Sequence, residues 1–265
     1  MFGWSAALAL AVLSAFSVSA QRRRAAAPKT AKTAIPRVER VVPFHIGETL
    51  TYDVSWSSFV TAGTAVTTVR EKKPSFNSTA YYIVAEGRPT PLVAKLYSLY
   101  YKMDTLLDSY TLLPQRGAVY SEEGSRHRLK VTRFDRAAGK VFFEYQTATT
   151  VKSDFTASPV VQDALSAIYL WRTIPMAAGD RITMPVSDSG TTYKVQMDVG
   201  KPEQVRTPLG EMSAVRLKPS VFDASGQPVG RNMAIWISDD ARRLPIKFQA
   251  ELPIGSFVLV LRDAK

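Results

Sequence analysis

The chain has 265 residues, 46% of them hydrophobic and 22% charged, a balance that excludes disorder of the whole chain and allows a sizeable buried core. It contains no cysteine, which removes disulfides, thiolate nucleophiles, iron–sulfur clusters, thiolate zinc sites and the lipid-bearing cysteine of a lipoprotein together. The formal net charge is +11, but six of those charges belong to residues 21–42, where Arg22, Arg23, Arg24, Lys29, Lys32, Arg37 and Arg40 stand against Glu39 alone. A basic excess held in an aperiodic segment rich in Ala and Pro is a tail and not a nucleic-acid-binding face.

In chain order, Ala6 to Phe16 form an apolar run, AALALAVLSAF, followed by Ser17-Val18-Ser19-Ala20. Small residues three and one positions before a cleavage point suit signal peptidase, so residues 1–20 are expected to be a signal peptide that directs the protein to the periplasm. No Lys or Arg precedes the run and three arginines follow it, which is the reverse of the usual asymmetry. An uncleaved N-terminal anchor is therefore the alternative. Residues 21–42 are expected to be a disordered basic linker able to touch anionic headgroups at a membrane surface, and 43–265 a single β-rich domain.

From Glu48 to Trp56, Leu50, Tyr52, Val54 and Trp56 alternate with Thr49, Thr51, Asp53 and Ser55, the period of a strand with one buried face. The same rhythm recurs at 126–134 and 140–147, joined by Asp135-Arg136-Ala137-Ala138-Gly139, a Gly-ended hairpin loop. Further strands are predicted near 62–71, 80–86, 97–105, 116–121, 180–186, 191–199, 203–207, 212–218, 231–238, 245–252 and 256–262. Two segments depart from period two. Ser158-Pro159 reads as a cap followed by proline at the first helical position, which predicts a helix over 159–173 ending before Pro175. Thr90-Pro91 predicts a shorter helix over 90–97. With no strand–helix alternation of the kind a parallel sheet needs, the fold class is mainly β: a large curved antiparallel sheet, half-barrel or barrel-like, with one or two short helices and the 159–173 helix at its open end.

Several pieces of the sequence stand in a familiar order. Gly47-Glu48-x-Leu50-x-Tyr52-x-Val54-x-Trp56 is followed by Ala62-Gly63, then by Asp163-Ala164-Leu165-Ser166-Ala167-Ile168-Tyr169 with Arg172 and Pro175, and by Gly179-Asp180. Ile235-Trp236-Ile237-Ser238-Asp239-Asp240 then leads into Arg243-Leu244-Pro245 and a terminal strand from Gly255 to Leu261. Over residues 44–262 this pattern resembles the bacterial domain-of-unknown-function family 3108. The resemblance implies an exported, β-rich domain; it supplies no activity and no catalytic residue.

Groups able to carry chemistry are sparse. His45 and His127 are the only histidines, and neither stands in a metal-ligand spacing, so no metal or cofactor is expected. There is no G-x-S-x-G elbow, no Ser-x-x-Lys and no Gly-rich phosphate loop joining a strand to a helix. Asp239-Asp240 and Glu122-Glu123-Gly124 read as charged turns, and Asp163 suits the positive end of a helix. The aromatic residues are more suggestive: Trp56, Tyr97, Tyr101, Tyr120, Trp171 and Trp236 either fill the core or line a cavity in the curved sheet. The reading that unites these features is a non-enzymatic envelope protein that binds an amphiphilic ligand, lipid or glycan, or a partner protein in a β half-barrel. Two alternatives stand beside it. One is a carboxylate-dependent enzyme acting on cell-wall or polysaccharide material, for which Asp104 and Asp108 or Asp163 would have to meet in one cleft. The other is an envelope scaffold or assembly protein.

Overall fold

The computed structural model describes residues 37–265 except 58, 59, 97, 253 and 254, so the expected signal peptide and residues 21–36 of the basic segment lie outside it. Residues 37–42, the end of that segment, lie against the domain. The Arg40 amide donates to the Ser109 carbonyl at 2.9 Å, Lys72 and Ser109 donate to the Glu39 carboxylate, and the Arg37 guanidinium covers the Tyr110 ring.

The first half of the chain is a meander: β1 (Thr49–Trp56), β2 (Val60–Ser75), β3 (Ser78–Pro89), a short helix α1 (Pro91–Leu96), β4 (Leu99–Asp108), β5 (Pro114–Glu123), β6 (Arg126–Asp135), β7 (Lys140–Gln146) and β8 (Thr150–Thr156). A crossing segment carries α2 (Ala164–Trp171) to the opposite edge of the sheet. The chain then returns through β9 (Arg181–Asp188), β10 (Thr191–Thr207), β11 (Gly210–Phe222), the two-residue β12 (Pro228–Val229), β13 (Arg231–Ser238), β14 (Pro245–Leu252) and β15 (Gly255–Ala264). Among the described residues, all fifteen strands belong to one antiparallel sheet with β8 at one edge and β9 at the other, and β1 beside β15 near the middle. The sheet curls around α2 without closing into a barrel. Its two ends approach at the β9–β10 turn, where Lys130 of β6 donates to the Ser189 hydroxyl at 2.7 Å. Gly190, at φ +81°, lies so close to the Phe143 ring of β7 that a Cβ there would sit 2.8 Å from it. Ser189 and Gly190 both have positive φ, the geometry that a two-residue hairpin needs.

The curved antiparallel sheet and its two short helices match the expected class, and three local readings are corrected. The main helix begins at Ala164, not at 159. Gln162 forms a parallel bridge to Val186, its amide donating to the Pro185 carbonyl while its carbonyl accepts from Ser187, so residues 161–163 are held extended along the outer edge of β9. Asp163 then caps the helix: its carboxylate accepts from the Ser166 amide at 2.8 Å and the Ser166 hydroxyl accepts from the Asp163 amide, a reciprocal capping box. The strands expected at 191–199 and 203–207 are one strand, β10, carried through a register shift between Val199 and Pro202. Gly200 fits there because a Cβ would meet the Arg216 carbonyl oxygen at 2.9 Å. Finally, β8 and β12 have no counterpart in the expected strands.

Helix α2 holds the curl together because it is apolar on two sides. Leu165 and Tyr169 pack with Val69, Ile83 and Leu107 of β2, β3 and β4. Ala167 and Trp171 pack with Met184, Met197, Leu217 and Ile237 of β9, β10, β11 and β13. Each large apolar side chain buried this fully contributes about 1.5–3 kcal/mol. The helix end is pinned by charge. Arg172, wholly buried, donates to both oxygens of the buried Glu48 carboxylate at 2.6 and 2.8 Å and to the carbonyls of Arg242 and Arg243 at 3.1 Å. Phe44 and Tyr169 lie against the guanidinium. The turn that presents those carbonyls is itself closed by Asp240, whose carboxylate accepts from Ser238 and the amides of Arg242 and Arg243. Tyr52 donates to the Pro245 carbonyl just beyond it. Glu48, Arg172 and the backbone of the 238–245 turn, far apart in sequence, therefore meet around one buried ion pair.

Candidate functional site: an apolar cavity beside the inner helix

Between α2 and the returning half of the sheet lies a cavity of about 460 Å³. The helix contributes Ala164, Ala167, Ile168 and Trp171, spaced i, i+3, i+4 and i+7, which places them on one face. The strands contribute alternate residues, as side chains on one face of a sheet must: Val186 and Asp188 from β9, Tyr193, Val195 and Met197 from β10, Pro219 and Val221 from β11, Met233 and Ile235 from β13. Val229 of β12 and Gly230 complete the wall. Asp188 and Tyr193 are the only side chains in this lining with a hydroxyl or carboxylate, and the rest are aliphatic, thioether or indole. Asp188 and Val229 are exposed, so the cavity opens to solvent on their side. Such a space can shelter hydrophobic matter from water and offers one hydroxyl and one carboxylate to orient it.

Of the six aromatic residues singled out in the sequence, one lines this cavity: Trp171, only 2% exposed. Four others are dispersed. Trp236 is out of phase with Ile235, so it turns to the opposite core, where its indole donates to Glu203 at 2.5 Å and Arg216 and Lys247 cover its ring. Trp56 stacks on Phe257 at the end of β1 and is 46% exposed. Tyr101 donates to Glu123, and Tyr120 donates to Glu122 at 2.6 Å beside Tyr100. Tyr97 lies outside the described residues. The wall is made instead by residues such as Ala164, Ala167, Val195, Val221 and Met233, which carry no chemical signature of their own. The signal that could have found them is the second apolar stripe on the helix, 164/167/168/171, beside the one marked by Leu165.

The carboxylates are committed to structure. Asp104 and Asp163 do border one cavity, together with Asp188, but its volume is about 30 Å³, enough for a water or two and not for a sugar ring. Asp104 is paired with Arg116 at 2.5 Å. Burial pushes the Asp163 carboxyl up to about 6, against the lowering effect of hydrogen bonds from Ser166 and Thr105, the latter at 2.6 Å. A broader groove of about 830 Å³ is lined by Asp108 and Asp135 with Arg37, Arg133, Arg136, Phe76 and Phe142. Burial would raise Asp108, but donors from Ser78, Thr111 and Tyr110 outweigh it and hold the group below the usual range. Asp135 accepts from the Ala138 amide in its hairpin, and Arg136 donates to the carbonyls of Pro114, Pro159 and Val161. His127 sits 3.3 Å from the Tyr120 hydroxyl and His45 near its own neighbour's carbonyl. Among the described residues no three His, Asp or Glu side chains are gathered as a metal site would require, and no helix is long and apolar enough to cross a membrane.

The fold has relatives among solved structures. It is similar to a β-barrel-like protein of domain-of-unknown-function family 1849 from Brucella abortus, at 12% identity and a TM-score of 0.51, over 83% of this chain and 97% of that one. Weaker matches are a Bacteroides fragilis protein described as exported, with a YmcC-like fold (TM-score 0.35, 11% identity, 86% of this chain and 100% of that one), and a Parabacteroides distasonis protein described as a lipoprotein (TM-score 0.32, 9% identity, 84% and 98%). No curated protein matches the sequence. The model of one family, described as "Protein of unknown function (DUF3108)", matches residues 51–262, which takes in every strand from β2 to β14 together with the inner helix; the chain belongs to that family.

Proposed function

We propose that this is an exported, non-enzymatic envelope protein that shelters the hydrophobic part of an amphiphile in the cavity between α2 and β9–β13. The observation that carries this reading is the lining itself. A space of about 460 Å³ walled by aliphatic, methionine and indole groups, with one carboxylate and one hydroxyl, has the size and polarity of a small-ligand site, for which volumes of roughly 300–1,000 Å³ are usual. Leaving such a surface to water is unfavourable by about 25 cal/mol per Å² of apolar area, and an acyl chain or similar group would relieve that cost. The periplasmic location rests on the apolar run Ala6 to Phe16 and the small residues Val18 and Ala20 that follow it.

Native mass spectrometry of protein purified from the envelope tests the reading. The expected result is a population heavier than the polypeptide by the mass of one lipid-like molecule, lost in a Val221→Trp variant that fills the cavity while keeping the native circular dichroism spectrum. A bare polypeptide mass, combined with failure to take up added long-chain amphiphiles, overturns it.

A further inference from the structure

The two edges of the sheet are treated differently. Part of the outer edge of β9, at Pro185–Ser187, is paired with the chain's own Gln162 through its bridge to Val186. At the other end, β8 pairs with β7 alone among the described residues, and of its seven residues only Phe155 is not exposed. A strand edge left in this state presents a row of unpaired backbone donors and acceptors, which natural sheets usually cover, twist away or blunt. β8 contains no proline, and its ladder with β7 runs without a bulge.

The sequence of β8, Thr150-Val151-Lys152-Ser153-Asp154-Phe155-Thr156, complements itself when read backwards. Laid antiparallel on a second β8 with the two-fold axis at Ser153, Lys152 faces Asp154 of the other copy, Val151 faces Phe155 and Thr150 faces Thr156. Opposite charges, apolar pairs and hydroxyl pairs directly across an antiparallel ladder are each favourable. The charges also extend outward in alternation. Asp154 already pairs with Lys140 of β7 at 2.8 Å and Lys152 with Glu144 at 3.6 Å. The joined ladder therefore carries Lys140, Asp154, then Lys152 and Glu144 of the second copy, with no two like charges adjacent. A two-fold contact of this kind is closed, so it yields a dimer and not a fibre.

We infer that β8 is a self-association edge at which two copies of this chain join their sheets, antiparallel and in register about Ser153. The inference is independent of what the apolar cavity holds.

Cysteine cross-linking provides the test, since the chain has no cysteine of its own. In the proposed register Ser153 lies opposite itself, with the Cα atoms roughly 4.5–5.5 Å apart, within the range a disulfide spans. Residue 151 lies four positions from its own copy, roughly 13 Å along the strand. The full-length Ser153→Cys variant is therefore expected to oxidise to a covalent dimer at least about tenfold faster than Val151→Cys, as pairing raises the effective thiol concentration. Mixing Thr150→Cys with Thr156→Cys should yield a cross-linked pair that neither forms alone. Sedimentation of the unsubstituted chain should show a concentration-dependent monomer–dimer equilibrium, shifted to monomer by Lys152→Glu, which places Glu against Asp154. Equal oxidation rates at 151 and 153, or a monomer at every concentration with no preferential cross-link, would overturn the inference.

Discussion

The two sides of α2 make a natural comparison. Toward β2–β4 the helix presents Leu165 and Tyr169, and their partners Val69, Ile83 and Leu107 are completely buried. Toward β9–β13 it presents Ala164, Ala167 and Ile168 beside Trp171; Trp171 and the facing Val186 and Met197 are buried, but Val195 and Ile235 along the cavity are only partly so. Both sides are apolar, and the strands on both sides alternate in the same way. The difference lies in where side-chain volume sits on the helix: Ala164 and Ala167 leave the open side short between the larger Ile168 and Trp171, whereas the filled side has leucine and tyrosine. A packed core and an apolar vacancy are thus produced by one eight-residue helix, and the vacancy depends on which residues are small.

The helix must be fixed in place for that contrast to persist, and the largest effect is expected where it is pinned. Glu48→Ala leaves the Arg172 guanidinium buried with backbone carbonyls as its remaining hydrogen-bond partners and should lower stability by about 3–5 kcal/mol in urea denaturation. On the filled side, Leu165→Ala should cost about 2–5 kcal/mol by the same measurement, because a cavity opens in close-packed surroundings. Its counterpart on the open side, Ile168→Ala, should cost less than about half as much, since Ile168 already borders empty space. Equal losses at 165 and 168 would mean that the two sides do not differ in packing.

An effect of a different kind, dependent on pH, separates the helix start from its end. The Asp163 carboxyl titrates at about 6 in the fold against 3.8 when unburied, so the fold prefers its protonated form. Its favourable contribution is complete below about pH 4 and is lost as pH rises through 6, a change on the order of 3 kcal/mol for a shift of this size. Asp163→Asn keeps an oxygen to cap the helix and cannot ionise. The stability difference between wild type and this variant, followed from pH 4 to 7 by thermal melting, should therefore move in favour of the variant. A difference that stays flat across that interval would show that the ionised carboxylate is fully compensated where it sits.

How much of this was legible in the sequence depends on how far local pattern and tertiary contact agree. Leu50, Tyr52 and Val54 alternate because one face of β1 is buried, and such strands were readable. β8 was not, since all its residues but Phe155 are exposed and little imposes period two on Thr150–Thr156. Gly200-Lys201-Pro202 looks like a break between strands, yet the ladder with β11 resumes past it with a shifted register. Ser158-Pro159 has the local form of a helix start, but the bridge from Gln162 to the edge of β9 holds the next residues extended and moves the cap to Asp163. The cavity was legible only through Trp171. Aromatic rings were the visible candidates, while a vacancy is made by alanines and lined by aliphatic residues that any core would contain.

Entry of a hydrophobic ligand into the space beside α2 can be read from Trp171, whose indole forms part of the cavity wall. An acyl chain carrying bromine atoms, added to the protein, should quench tryptophan emission saturably. Trp171→Phe should remove the quenched component, whereas Trp56→Phe, altering a ring stacked on Phe257 away from the cavity, should leave it intact. Quenching that survives Trp171→Phe, or none at saturating acyl chain, would contradict the claim that the space beside α2 takes up hydrophobic ligand.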